Sequence, residues 1–382
     1  MGMREFDVVL YGATGFTGRQ TVRYFTKFAP PGLKWAIAGR NLGKLQALDA
    51  GVCAIVADSS DQTAIDNMVK RTRVLLTNAG PFALYGTGIV DACIRFRTHY
   101  CDITGETPWV RTLIDKYQDQ AAAEGTRLIP FSGFDSVPSD LGAMLIGEAL
   151  GTQTGKIRAY FQLTGGLNGG TLASALNMAE SGTDRLARDP FLLSPKMQRP
   201  LRDFECDPAA AAFDKDTQTW TAPFVMSPIN TRVVRRSCQI RGLDFAYQEY
   251  LKMEGPMAGP LAVGIATGSA LLEAALHFSP FRQFLRMVAP APGTGPSEKT
   301  MDGGWFRCEF VGHADDGRTA RALIADQGDP GNRVTVKCLC ESAFALALDE
   351  LPARAGFLTP STGLGDALVK RLRHRGMELS VS

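Results

Sequence analysis

At 382 residues, the chain exceeds what one hydrophobic core usually supports, and two domains are expected. Its 45% hydrophobic and 21% charged content is that of an ordinary globular protein, and a net charge of +2 leaves no electrostatic footprint for nucleic acid. The cysteines lack paired metal spacing; Cys338 and Cys340 would face different ways on a helix, and His99, His277, His313 and His374 form no ligand cluster. A reduced, cytoplasmic protein without structural zinc is expected. The chain runs almost at once into an apolar segment with no signal-peptide pattern.

Residues 6–11 form a short apolar run suited to a buried strand. Gly12, Gly15 and Gly18 follow immediately, and a helical pattern covers 17–28. Strand, glycine turn and helix in that order suit a dinucleotide. Gly12 allows the tight turn, Gly15 a close approach of backbone N–H groups to a pyrophosphate, and Gly18 the packing of helix on sheet. Ala13, Thr14, Phe16 and Thr17 complete the candidate phosphate cradle. The competing reading is a steric glycine turn without a ligand.

Pro30, Pro31 and Gly32 break the first helix, and 34–38 reads as the second strand. Its end carries Arg40, Asn41 and Lys44 and no acid. An acid there would suit a ribose hydroxyl, whereas Arg40 would attract a 2′-phosphate, so NADP(H) is favoured over NAD(H). A solvated cation at a helix start is the plainer alternative for Arg40. The third strand, 52–57, leads to Asp58 and Ser59, which suit either an adenine rim or a helix cap. The fourth, 73–77, ends in Asn78, Ala79, Gly80, Pro81 and Phe82, a turn expected to face the nicotinamide half. Helices at 86–95, 108–124 and 138–150 alternate with strands at 98–103 and 127–131. The expected class is α/β: a Rossmann-type doubly wound parallel sheet over 1–150 with a second α+β domain.

Several stretches occur together: Gly12-Ala-Thr-Gly-Phe-Thr-Gly-Arg19, Ala38-Gly-Arg40, Asn78-Ala-Gly-Pro-Phe82, Tyr100-Cys-Asp-Ile-Thr-Gly-Glu106 and Gly133-Phe-Asp-Ser-Val-Pro-Ser-Asp140. This set resembles the saccharopine dehydrogenase-like oxidoreductases, nearest the branch of trans-acting enoyl reductases. It is dense over the first 140 residues and thinner beyond, where Gly303-Gly-Trp-Phe-Arg307 and Leu358-Thr-Pro-Ser-Thr-Gly363 also fit. The resemblance implies an NADP-binding Rossmann domain, a second α+β domain and a cleft between them.

Candidate chemistry lies in two turns. Tyr100, Asp102 and Glu106 follow a strand and could contact cofactor or substrate or relay a proton; alternatively, Asp102 and Glu106 cap the next helix. Asp135 and Ser136 precede a helix whose first turn suits Pro138, and the turn could hold a carbonyl oxygen or merely cap. Cys101 has no base beside it and is not favoured as a nucleophile.

Beyond 150 the pattern changes. A substrate or dimerisation domain is expected over 151–344, with 345–382 packing back on the first. Strands are predicted at 156–163, 235–241, 305–312 and 319–326, and helices at 171–185, 332–351 and 363–375. The glycine run 165–170 suggests a hinge or substrate-facing loop, and 189–228 a lid or arm. Segment 257–276 is almost wholly apolar, and 278–285 mixes Phe278, Phe281, Phe284 and Leu285 with Arg282. A buried helix or homodimer contact, a lid or peripheral lipid-surface segment, and a membrane span all fit 257–285. Three functions are carried forward. One is an NADPH-dependent reductase of a hydrophobic, acyl-type small molecule. Another is saccharopine-type imine reduction, with Arg232, Arg235 and Arg236 holding substrate carboxylates. The last is a non-enzymatic nucleotide-binding scaffold at a lipid surface.

Overall fold

The computed structural model describes residues 4–165, 176, 178, 180, 182–197, 199–202, 204–288 and 293–382. β1 (Phe6–Tyr11) is buried along nearly its whole length, as a parallel strand covered on both faces should be. The chain then alternates: α1 (Phe16–Phe28), β2 (Trp35–Gly39), α2 (Leu42–Gln46), β3 (Cys53–Val56), α3 (Gln62–Val69), β4 (Thr72–Thr77), α4 (Phe82–Tyr85) and α5 (Thr87–Arg95). β5 (His99–Asp102), α6 (Thr107–Ala123), β6 (Arg127–Ile129) and α7 (Val137–Leu150) follow. The six strands pair in parallel in the order β6-β5-β4-β1-β2-β3. This doubly wound order directs ligands to the carboxyl ends of the strands.

A second sheet uses β7 (Thr154–Thr164). Next come α8 (Asp184–Ala187), β8 (Ala212–Asp214), β9 (Thr219–Pro223), α9 (Ser227–Arg241) and β10 (Asp244–Met253). α10 (Ala258–Leu276), α11 (Ser279–Val288) and α12 (Glu298–Asp302) precede β11 (Trp305–Ala314) and β12 (Thr319–Gln327). The chain closes with α13 (Thr335–Leu348), β13 (Gly356–Phe357), α14 (Pro360–Gly363), α15 (Gly365–His374) and β14 (Glu378–Val381). The second sheet runs β14-β12-β11-β7-β10-β9-β8, with β7 and β10 parallel and the other pairs antiparallel. β13 pairs with β6, so the last 30 residues supply a strand to each sheet.

α7 and α13 bind the halves together. α13 is buried almost throughout and packs on α1, β1, β4 and β5. α7 leaves the first sheet and lies against β11 and β12 of the second. Gly142 lets the Phe310 ring rest on α7, since a Cβ there would lie 2.1 Å from Phe310 Cζ.

Several expectations need correction. Residues 235–241 form the end of α9, not a strand, and Gly242 in the left-handed conformation terminates that helix. Helical spacing buries Val233, Val234 and Cys238 together on one side of α9. The long helix expected at 332–351 is α13 preceded by a π-helical turn at Pro330–Val334. β10, β13 and β14 were not anticipated. The expected arm 189–228 contains the β8–β9 hairpin. The glycine run 165–170 beyond Gly165, and the helix expected at 171–185, lie largely outside the described residues.

Gly142→Ala should destabilise the fold by about 1–3 kcal/mol through overpacking against Phe310. Urea denaturation would show this as a lower midpoint with an unchanged slope.

Candidate active site

The turn after β1 is held by backbone bonds: Gly12 and Ala13 N–H both donate to Ala38 O, at 3.0 and 3.2 Å. Gly12 has φ +82°, and a Cβ on it would lie 3.0 Å from Ala79 N. A Cβ on Gly18 would lie 2.2 Å from Gly12 O. These two glycines bring the turn, α1 and the turn after β4 into contact. Gly15 differs: it is the N-terminal cap of α1, and only Gly12 O, at 3.4 Å, would be near a Cβ there. The first intrahelical bond runs from Arg19 N to Gly15 O, so the N–H groups of Phe16 and Thr17 precede any helical acceptor. α1 has no acid in its first turn and no side-chain cap. An uncapped helix start behind an unobstructed glycine fits a diphosphate. Thr14 O accepts from the Arg19 guanidinium, which also donates to Gly293 O.

Arg40 is exposed at the end of β2. Asn41 caps α2, its Oδ1 accepting from Lys44 N at 2.9 Å. Asp58 Oδ1 accepts from the amide and hydroxyl of Ser60, which hold its carboxyl below the usual range, with Arg40 adding attraction. The cap of α3 is Asp61, so Asp58 and Ser59 belong to the turn between β3 and α3. In the turn after β4, Asn78 Nδ2 donates to Thr21 Oγ1 at 3.2 Å, and its Oδ1 is a buried acceptor with no described partner. Ala79 N–H donates to Thr77 Oγ1, and the Gly80–Pro81 peptide is cis.

Glu106 occupies the N-terminal cap position of α6 but does not cap it. Its carboxylate crosses to the neighbouring turn and accepts from Phe82 N at 2.8 Å and Ala83 N at 2.9 Å. It thereby fixes the 78–82 turn, and it is itself buried. Tyr100 and Asp102 are also buried, with the phenol donating to Asp102 Oδ2 at 2.6 Å. Asp102 Oδ1 takes Thr104 N and Phe131 N, tying β5 to the end of β6. Burial pushes the Asp102 carboxyl up to about 7 against the pull of those bonds. The Cys101 thiol is buried and held well above its ordinary value, in keeping with an inert core cysteine.

Ser136 sits at the start of α7 without capping it; its hydroxyl donates to Asn230 Oδ1 of α9 at 3.1 Å. Asn230 Nδ2 donates to Glu249 Oε2 at 2.9 Å, and Tyr247 OH to Glu249 Oε1 at 2.6 Å. This buried chain joins the end of the first sheet to β10 of the second. Burial lifts Glu249 to about 7 although those donors oppose the shift. Of the five singled-out catalytic candidates, only Asp135 keeps partial exposure, and its burial among protein atoms raises it to about 6. Asn230, Tyr247 and Glu249 were missed by the sequence reading. Tyr247 and Glu249 share one face of β10 at period two, a signal hidden once that strand went unrecognised.

The three arginines of α9 are engaged elsewhere. Arg232 donates to Arg188 O, Asp189 O and the Asp207 carboxylate. Arg235 donates to Pro190 O, Glu205 O and Tyr247 O. Arg236 donates to Leu193 O, Gln118 Oε1 and Phe357 O. They hold residues 188–193, Glu205 and Asp207 against α9, which corrects the expectation of a cationic substrate pocket.

Residues 8–129 match the family described as Saccharopine dehydrogenase NADP binding domain. A trans-acting enoyl reductase of Mycobacterium ulcerans is 35% identical over 412 residues, covering 99% of this chain and 98% of the relative. One of Mycobacterium tuberculosis is 34% identical over 422 residues with the same coverage. Among solved structures, apo saccharopine dehydrogenase (L-Glu forming) from Saccharomyces cerevisiae has a TM-score of 0.52 at 14% identity, covering 98% of this chain and 99% of that one. Homospermidine synthase from Legionella pneumophila in complex with NAD has a TM-score of 0.56 at 9% identity, covering 99% and 91%. At these identities the two structures speak for the fold alone.

Asp102 and Glu249 hold protons in the folded state that the unfolded chain releases between about pH 4 and 7. Their contribution to stability is therefore present at low pH and lost as pH rises to about 7. Paired Asp102→Asn and Glu249→Gln substitutions should flatten the slope across that window, as read from urea midpoints at a series of pH values.

Proposed function

Because the chain belongs to the saccharopine dehydrogenase-like oxidoreductases, beside the trans-acting enoyl reductases it matches over nearly full length, it is an NAD(P)-dependent oxidoreductase, and we propose that it uses NADPH to reduce an enoyl or carbonyl group of a hydrophobic, acyl-type substrate. The glycine turn and the start of α1 hold the diphosphate. Arg40, with Lys44 on the next turn, meets the 2′-phosphate, and the 78–82 turn borders the nicotinamide half. The bound cofactor supplies hydride to the acceptor.

The observation carrying the substrate class is the rim of the turn that Glu106 holds. Leu84 and Tyr85, on the short helix that follows, are 60% and 45% exposed. An apolar rim suits an acyl chain, and the arginines that a multiply charged amino-acid substrate would need are occupied by backbone carbonyls and Asp207. Glu106, Asp102 and Ser136 position the loops. Asp135, partly exposed and raised to about 6, donates the proton that completes reduction and regains it from solvent.

Purified protein should oxidise NADPH faster with a long-chain enoyl or carbonyl thioester than with an amino-acid imine; the reverse order would sink the acyl reading. Asp135→Asn should lower kcat by about 10²-fold or more while leaving NADPH affinity intact. Arg40→Ala should weaken NADPH binding about 10- to 100-fold and NADH binding far less, as judged by fluorescence titration. Equal losses for the two cofactors would remove the phosphate role.

A further inference from the structure

α10 docks by one narrow face only. Ala258, Gly259, Ala262 and Ala266 are its buried residues, and Gly259 lies close enough to the Trp220 ring of β9 that a Cβ would be 3.0 Å from Cε2. From 267 onward no residue of the helix is buried. At 100° per residue the buried positions cover about 100° of the circumference, and Leu261, Val263, Leu271 and Leu272 spread over about 180° of the rest. Leu271 is 66% exposed. A helix packing on one partner normally presents an apolar stripe of about 100°. The exposed arc is broader than that, and exposed Phe278 in the link after α10 and Phe284 of α11 add to it.

The charge pattern narrows the occupant. Within Ser279–Val288 the only charged residues are Arg282 and Arg286, four apart, with no acid among them. The single charge of α10, Glu273, pairs with Arg188 at 3.0 Å. An apolar segment that carries cations and no acid suits a helix lying in an anionic lipid interface. A crossing is excluded by the attachments. α10 follows directly on β10 and is docked on β9, and beyond α11 the chain returns to α1. There, a Cβ on Gly295 would lie 2.4 Å from the Phe16 ring, and Gly293 O accepts from Arg19. Both ends of the hairpin are thus tied to the same body.

We propose that α10 and α11 form a monotopic docking surface for a bilayer containing anionic phospholipid. The exposed leucines and phenylalanines enter the acyl boundary, and Arg282, which also donates to Leu276 O at 2.8 Å, meets phosphate headgroups. Beyond α11 the chain meets the start of α1 at Gly293 and Gly295, so docking holds that helix start together with the lipid-facing segment. The proposal does not depend on the acyl substrate assigned above, because its readout is partition rather than turnover.

Full-length protein should float with vesicles of phosphatidylcholine containing phosphatidylglycerol, and less with phosphatidylcholine alone or at high salt. Leu271→Glu combined with Leu272→Glu should lower partition at least ~10-fold, and Arg282→Glu should lower it on anionic vesicles. Leu42→Glu, at an exposed apolar position outside the hairpin, should leave partition unchanged. Thermal unfolding of each variant confirms an intact fold. Failure of the wild-type protein to float would overturn the proposal, as would equal flotation of the leucine variant. Light scattering that shows a dimer dissolved by the leucine variant would also overturn it, since a second copy would then cover the face.

Discussion

The molecule is built around a contact that tolerates no side chain. Gly18 of α1 presses on the carbonyl of Gly12, and Gly12 presses on Ala79 in the turn after β4. Because these backbones touch, the ends of β1 and β4 and the beginning of α1 form one rigid corner. Gly15 remains uncovered at that corner, where the helix presents unpaired N–H groups. Steric necessity and ligand affinity thus come from the same short sequence.

The corner is supported from the side and from behind. Glu106 reaches across from the next strand-helix turn to hold two amides, and Asp102 holds two more at the end of β6. Both carboxyls are internal, and each is satisfied by donors that water would otherwise supply. α13 fills the space behind, against α1 and the central strands. The second half of the molecule attaches through Ser136, Asn230 and Glu249, a run of side-chain bonds between the end of the first sheet and β10.

Much of the first sheet was legible because its signals are local. Glycine spacing, short apolar runs and turn residues lie within a few positions of one another, and parallel strands buried on both faces read as continuous apolar stretches. The second half was read less well because its determinants are distant in sequence. The strand expected at 235–241 is the end of α9; the carbonyls of 188–193 and Phe357, which receive the guanidinium groups of that helix, are not inferable from the stretch itself. Glu106 was identified, but the amides it serves lie more than 20 positions earlier, so its role as a brace emerged only from the geometry. β13 and β14 are too short to announce themselves, and they exist because neighbouring strands offer them an edge.

The course of the final residues bears on how the molecule moves. β13 is laid beside β6, α15 follows, and β14 is then laid beside β12, with Met377 and Leu379 buried. A polypeptide that ends by lacing both sheets resists the jaw-like swing by which two-lobed enzymes admit their reactants. For the halves to part, β13 would have to peel from β6 or β14 from β12, so the edge of one sheet would have to fray first.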